Sequence, residues 1–474
     1  MSLVAPNEIW IHIFSFVREG RSLKSIILTC HRFHDLALPE LLQRVVWTSV
    51  EKAETHMDSL ETQVALRSIL TAKWTVSQVT EIVNRMAFFV NLDTLSIIYG
   101  YFTDSFYNLL PNLPRLTHLS LTACHLARPP TNIPSPTTSQ VTHLTMNHVT
   151  PMFSSFHTHT LYEYLFAALP HVVALTQTDL HPVSAAQLPR LTSLSIDCSS
   201  NAHVVTMLVK HYLPRLGGTL RDLHVNVRKT LPDSHASSEQ LEHIIIDLPV
   251  PLLRSFTGSM YIANCLLHSA TNLSSIRINT GFIKKTTDAL ALIEACSALP
   301  LEEIEFGVED WDDEVLLAVM HRLPSCQHVR LFFQYSEPSD VSCFGFHSSL
   351  TDKLFQDFLF NLGIQYLPLL AKLHTLHVYA EPAPPPSPPR RYLAGEEYTE
   401  DPKQRVPAVI PEEESCVEYS AVWKKYTPAL RRVQFVKGRE WKREGERARW
   451  FVWNVLGVDG GSVGRHADID EDAD

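Results

Sequence analysis

The chain has 474 residues, 45 % of them apolar and 19 % charged, which exceeds what one compact core normally holds. A net charge of −11 excludes a surface built for nonspecific phosphate binding, so no nucleic-acid role is expected. No apolar run reaches membrane-spanning length and no basic flank precedes Arg18, so neither a membrane segment nor a signal peptide is expected, and a cytoplasmic or nuclear location is.

The first 47 residues read as a hook of three short helices. Pro6 suits the first turn of a helix, Glu8 favours the positive end of its dipole, and Ile9, Trp10, Ile13, Phe14 and Val17 make one broad apolar stripe. A charged break at Arg18-Glu19-Gly20-Arg21 precedes Leu23, Ile26, Ile27 and Leu28, and Cys30-His31-Arg32-Phe33 leads into Leu36, Leu41, Leu42, Val45, Val46 and Trp47. Helices this short cannot bury such stripes alone, so they need a partner surface or the rest of the chain.

Pro6, Glu8, Ile13, Cys30 and Phe33 stand where the F-box, the adaptor-binding module of ubiquitin-ligase substrate receptors, places its Pro, Glu, mid-helix Ile or Leu, Cys and Phe. The N-terminus therefore resembles an F-box, with Ala5 in place of the usual Leu and His31 where a basic residue is commoner. The resemblance implies adaptor contact through Pro6, Ile9, Ile13, Leu28, Cys30 and Phe33. The alternative is a helical cap on a larger domain, in which Trp10 and Phe14 pack inward.

From about residue 90 an element L-x-x-L-x-L recurs, the strand signature of leucine-rich repeats. Leu116, Leu119, Leu121, Cys124 and Leu126 fill its full form, and looser copies begin at Leu92, Val141, Leu191, Leu220, Leu273, Leu301, Cys326, Leu373 and Leu430. Between copies the period changes to about 3.6: Asp312-Asp313 caps Val315, Leu316, Val319, Met320 and Leu323, and Thr287-Asp288 caps Leu290, Ile293 and Cys296. Leu-Pro pairs at 113, 169, 188, 213, 299, 323 and 367 close helices and set an extended entry to the next strand.

The expected fold class is α/β: a three-helix module at 1–48, a helical connector or cap at 49–89, and an irregular leucine-rich-repeat solenoid at 90–381, with parallel strands on the concave face and helices outside. A Pro-rich and acidic insertion follows at 382–414, then a last repeat and a C-terminal helix carrying Trp441, Trp450 and Trp453 at 415–457, and an acidic tail at 458–474. The basic cluster from Lys437 to Arg449, interleaved with Glu440, Glu444 and Glu446, reads as a solvated helix face. The whole chain resembles the fungal family of F-box proteins with irregular leucine-rich repeats.

No phosphate loop, G-x-S-x-G elbow or H-E-x-x-H motif is present, and Cys30, His31 and His34 lack a second spaced pair, so no catalytic residue, metal or cofactor is expected. The eight cysteines show no paired spacing and read as reduced, mostly buried thiols. In L-x-x-L-x-L-x the third, fifth and seventh positions point away from the core. There His118, His143, Asp222, His224, Arg277, Glu305, Arg330, His377 and Tyr379 are the candidates for contact with a target protein.

What the family resemblance implies is a noncatalytic substrate receptor of an SCF-type ubiquitin ligase, joined to a Skp-family adaptor and through it to a cullin scaffold. A leucine-rich-repeat scaffold or inhibitor unrelated to ubiquitin is the second reading. An enzyme on a degenerate α/β fold is a third, for which no convergent titratable groups can be named.

Overall fold

A computed structural model describes residues 6–17, 20–42, 44–47, 69–73, 85–87, 89, 91–103, 105–127, 139–151, 158–178, 188–198, 208, 213–227, 250–309, 312–335, 361–382, 423, 425, 427–436, 439–443 and 450–454. The chain divides into two compact units, Met1–Leu252 and Leu253–Asp474. The bulk of the Pro-rich insertion and the acidic tail lie outside the described residues.

The first unit opens with helices α1 (Asn7–Ser15), α2 (Gly20–Ile27) and α3 (His31–Leu42). Pro6 sits just before the first turn rather than within it, with extended backbone at φ −53° and ψ 153°. Phe14, Leu23 and Ala37 are buried, and Trp10, Val17, Ile26, Ile27, Phe33 and Leu36 close around them. The Phe33 ring lies 4.7 Å from Trp10 and 5.4 Å from Phe14, and Arg32 ties α3 to α1 through Nη2–H donating to Asn7 Oδ1 at 2.8 Å.

Parallel strands follow at once: β1 (Arg44–Trp47), β2 (Ile69–Lys73), β3 (Thr94–Ile98), β5 (His118–Thr122), β7 (His143–Asn147), β9 (Ala174–Thr178), β10 (Ser193–Cys198) and β11 (Asp222–Val227). They pair in that order. Two-residue strands β4 (Tyr101–Phe102), β6 (His125–Leu126) and β8 (Thr150–Pro151) form a second small parallel sheet. Each follows a turn residue held in the left-handed region without being glycine, Tyr99, Ala123 and His148.

This corrects two expected boundaries. The sheet begins at Arg44 rather than near residue 90, and Ile69–Lys73, expected in a helical connector, is a strand. The β-branched Val45-Val46 pair and the Ile-Leu-Thr run fit a pleated ladder better than a helix.

The second unit carries β12 (Ser255–Gly258), β13 (Ser275–Ile283), β14 (Glu303–Val308), β15 (His328–Tyr335), β16 (Thr375–Pro382) and β17 (Arg432–Val436); each successive pair is parallel. Its last described elements are antiparallel strands β18 (Arg439–Arg443) and β19 (Trp450–Asn454). The expected C-terminal helix with Trp441, Trp450 and Trp453 is thus replaced by a hairpin. Its charges had suggested i, i+4 pairing, but they also alternate with period two: Trp441 and Arg443 fall on one face and Glu440 and Lys442 on the other. Trp-Phe-Val-Trp at 450–453 is a β-prone run.

All ten repeat starts from Leu92 to Leu430 precede a strand by two residues, and their Leu, Ile, Val and Cys side chains are nearly all inaccessible to solvent. At each step from β3 to β11 and from β12 to β17 one carbonyl accepts two N–H groups from the next repeat: Asp93 O takes those of Thr117 and His118, Glu302 O those of Gln327 and His328. Backbone polar groups between strands are thereby satisfied without a regular loop residue. In the second unit, helices Met260–Leu267, Thr286–Cys296 and Asp313–Arg322 turn apolar faces inward. Asp312 Oδ1 accepts from Glu314 N–H at 2.9 Å, as the capping pattern predicts. Thr286–Cys296 instead starts from Lys285 with no side-chain cap, and Asp288 lies within its first turn.

Gln177 stands at an inward position that Ile97, Leu121, Met146, Ile196 and Val225 occupy in neighbouring repeats. It is fully buried, and neither its amide nitrogen nor its oxygen has a hydrogen-bond partner. A buried unsatisfied amide costs about 1–3 kcal/mol. Gln177→Met, which keeps the shape and removes the amide, is expected to raise stability by about 1–2 kcal/mol, read from the urea midpoint. An unchanged or lower midpoint would show that the amide is satisfied in solution.

Candidate interaction surfaces

On α1 and at its C-cap, apolar side chains outside the small core are open to solvent: Ile9 is 50 % exposed, Ile13 44 % and Phe16 68 %. They stand at i, i+4 and i+7, so they form one stripe. Leu28, at the end of α2, is 84 % exposed, and Pro6 and Cys30 are exposed as well. Of the six adaptor candidates, five therefore face water and Phe33 packs into the module. Among the described residues, Trp10 and Phe14, which the cap reading places against the repeat, cluster with neighbours from residues 10–37. Phe16 was missed by sequence reasoning because the helix is apolar on several sides.

The open face of the first unit is uncharged along most of its width. Its third-position row runs Thr94, His118, His143, Ala174, Ser193, Asp222, and its fifth-position row Ser96, Ser120, Thr145, Thr176, Ser195, His224. The His118 and His143 rings stack at 4.2 Å. Burial and the neighbouring His143 hold the His118 pKa below its ordinary value, with Asp93 opposing. Asp222 and His224 lie on the same face, three strands beyond His143 in the order.

The open face of the second unit is built from ions. Arg277, Glu305, Arg330 and His377 are register partners on β13, β14, β15 and β16, so the sequence-derived candidates do come together. Arg277 Nη2–H donates to Glu303 Oε1 at 2.7 Å, Ser275 Oγ–H to Glu303 Oε2 at 2.8 Å, and Arg330 Nη1–H to Glu305 Oε2 at 2.9 Å. Arg330 also lies 3.5 Å from Glu303. At the far side His377 Nε2 is 3.3 Å from Glu440 Oε1, and Lys442 Nζ is 3.0 Å from Glu440 Oε2.

Glu303 was legible as a third-position residue, whereas Glu440 and Lys442 were hidden by the helix reading of their strand. An aromatic row lies beside the ions. Phe282 and Phe332 meet edge to face across Gly307, and Phe332 stacks on Tyr379 at 6.2 Å. A Cβ at Gly307 would come within 2.8 Å of both Phe rings, so the glycine makes their contact possible. Phe282 reaches this row through a bulge in β13, where Gly281 takes φ +84°.

Burial pushes the Glu303 and Glu440 carboxyls up, but hydrogen bonds and the adjacent cations outweigh it, so both pKa values lie below the ordinary 4.5. Burial also lowers His328 from 6.5. For all of these the unfolded chain takes up protons first on acidification, so stability falls as pH falls: first through the window just below 6.5, then more steeply below 4.5. Urea midpoints measured at about pH 7, 5.5 and 3.5 should decrease in that order, and Glu303→Gln should flatten the lower step. An unaltered lower step in that variant would remove Glu303 from the linkage.

Among the described residues, no group of three or more His, Cys, Asp or Glu side chains is arranged to hold a metal, and no helix is long and apolar enough to cross a membrane. The six described cysteines are free; burial pushes Cys296 and Cys326 up to about 12, so they are inert thiols, while Cys30 is exposed, unlike the buried state expected for most.

These buried L-x-x-L-x-L rows, parallel in-register strands and return helices define a leucine-rich-repeat architecture preceded by a three-helix module. No family model matches the chain, and no curated protein matches it by sequence. Among solved structures it is similar to an internalin, InlF, from Listeria monocytogenes, at 15 % identity and TM-score 0.33 over 70 % of this chain and 83 % of that one. It is also similar to a chain of the Rad7–Elc1 complex of yeast, at 17 % identity and TM-score 0.27 over 72 % and 96 %. For the plant peptide hormone receptor RGFR1 in complex with RGF2 the identity is 12 %, the TM-score 0.26 and the coverage 70 % and 50 %.

Proposed function

We propose that the chain is a noncatalytic substrate-recognition subunit of an SCF-type ubiquitin ligase. Its N-terminal module engages a Skp-family adaptor, and through it a cullin scaffold, while the repeat faces receive a target protein in the cytoplasm or nucleus. The observation that carries this reading is a module with its own small core and, outside it, the apolar stripe of Ile9, Ile13 and Phe16 beside Leu28. A helix that merely capped the repeat would spend that stripe on the sheet. Contiguous exposed apolar side chains mark protein-binding surfaces.

The test is co-purification of full-length chain with a Skp-family adaptor, repeated after removal of residues 1–42. The cut stops before Arg44 because Arg44–Trp47 pairs with the second strand, and a longer deletion would expose a new sheet edge. Loss of the adaptor with a folded repeat supports the assignment. Absence of any complex with the intact chain at micromolar concentration supports the second reading, a leucine-rich-repeat scaffold without ubiquitin machinery.

A further inference from the structure

We propose, on the basis of the receptor reading above, that the open face of the second unit takes an extended protein segment in which an acidic and an apolar side chain stand two residues apart. On this face cations lie over carboxylates, and an aromatic row runs beside them. Neither layer is visible in the sequence until the ladder is in register.

Depth separates the charges. The Glu303 side chain is 16 % exposed and that of Arg277 41 %; Glu305 is likewise less exposed than either arginine, and Glu440 less than Lys442. Arg277 Nη2 and Arg330 Nη1 lie 2.7 and 3.5 Å from Glu303 Oε1, while Arg277 Nε and Arg330 Nη1 lie 3.7 and 2.9 Å from Glu305 Oε2. Two guanidiniums drawn to the same two oxygens stand side by side. Each carries more N–H groups than these contacts use, so donors remain on both for a partner's carboxylate. Arg432, exposed on β17, adds a further cation. A chain of net charge −11 thus turns cations outermost here, and an acidic partner is the complement.

The aromatic row sets the spacing. Phe332 is the next outward residue after Arg330, Tyr379 after His377 and Gly307 after Glu305, with Phe282 beside Gly307. Phe282, Phe332 and Tyr379 are all half-buried, so an apolar strip stays open to a partner. Two residues of strand separate it from the arginines, about 6.5–7 Å, which is also the distance between i and i+2 side chains on one face of an extended segment. Glu302 precedes β14 and Glu309 follows it, so like charge flanks the two rows at both ends. The first unit offers no such layer, since Ser96, Ser120, Thr145, Thr176 and Ser195 fill its corresponding row.

The experiment selects a phage-displayed library of random peptides on the immobilised full chain, then measures the enriched peptides by fluorescence anisotropy. Those that bind should share an Asp or Glu two positions from a large apolar residue. Exchanging that acid for lysine should weaken binding on the order of tenfold or more, and added salt should weaken it further. Arg277→Gln, which leaves Glu303 with Ser275 and Arg330, should cost about tenfold at an unchanged urea midpoint, and Phe332→Ser several-fold. Thr145→Val, on the first unit's face, should change nothing. An enriched set that is basic or lacks this spacing, no enrichment at all, or full binding to both Arg277→Gln and Phe332→Ser overturns the assignment. Peptide capture needs no adaptor. Capture by a chain that takes no adaptor upholds this surface and sinks the ubiquitin-ligase reading, and the converse pair of results does the reverse.

Discussion

Ile13→Asp should weaken adaptor binding on the order of 100-fold while leaving the three-helix module folded. Ile13 is 44 % exposed, so in the free chain an aspartate there meets water. In the complex the carboxylate would be buried without a partner, at a cost of about 3 kcal/mol, or roughly two decades in affinity. Phe14, one residue further, supplies the contrast. It is 3 % exposed at the centre of the module, and Phe14→Ala should cost about 3–5 kcal/mol of folding stability. Both variants lose the adaptor, but only Phe14→Ala should lose helical signal and become susceptible to proteolysis within residues 7–42. Unchanged affinity of Ile13→Asp in a calorimetric titration would place the adaptor interface elsewhere.

Inverting the ion row of the second unit should abolish target capture and spare adaptor binding. Reversing Arg277, Glu305 and Arg330 alone would leave Glu303 between two new carboxylates, so a lost interaction could reflect a damaged sheet. The fourfold variant Arg277→Glu, Glu303→Arg, Glu305→Arg, Arg330→Glu keeps every neighbour oppositely charged and reverses only the pattern shown to a partner. Like charges facing one another across an interface cost several kcal/mol, so capture should fall on the order of 100-fold or more. Candidate targets come from proximity labelling with the Ile13→Asp chain, which under the proposed function would hold targets without passing them on. If the fourfold variant retains all of them at a wild-type urea midpoint, the row does not touch the target.

The repeat was legible wherever the inward positions are apolar. Leu116-x-x-Leu119-x-Leu121 and its relatives announce their strands because burying three branched side chains at that spacing requires a pleat. The ninth and twelfth strands went unseen because Gln177 and Gly258 occupy the inward position where the pattern expects a hydrophobe. The final hairpin was misread because its charges satisfy helical spacing as well as alternation, and the flanking aromatics were the better guide. At the N-terminus, Ile-Trp-Ile-His-Ile-Phe is apolar on nearly every side, so sequence alone could not say that Phe14 turns in and Ile13 out. The ion row was legible in part, since outward positions follow from the repeat, but its partner Glu440 arrives from a strand that folds back.

Among the described residues of the N-terminal module only Phe14, Leu23 and Ala37 are sequestered, while Ile9, Ile11, Ile13, Phe16 and Leu28 beside them remain wet. Such a module opens locally far more often than the ladder behind it. Under the proposed function, chains made in excess of the adaptor would spend part of their lifetime with this segment unravelled and would be cleared by proteases, so cellular abundance should follow the supply of that adaptor.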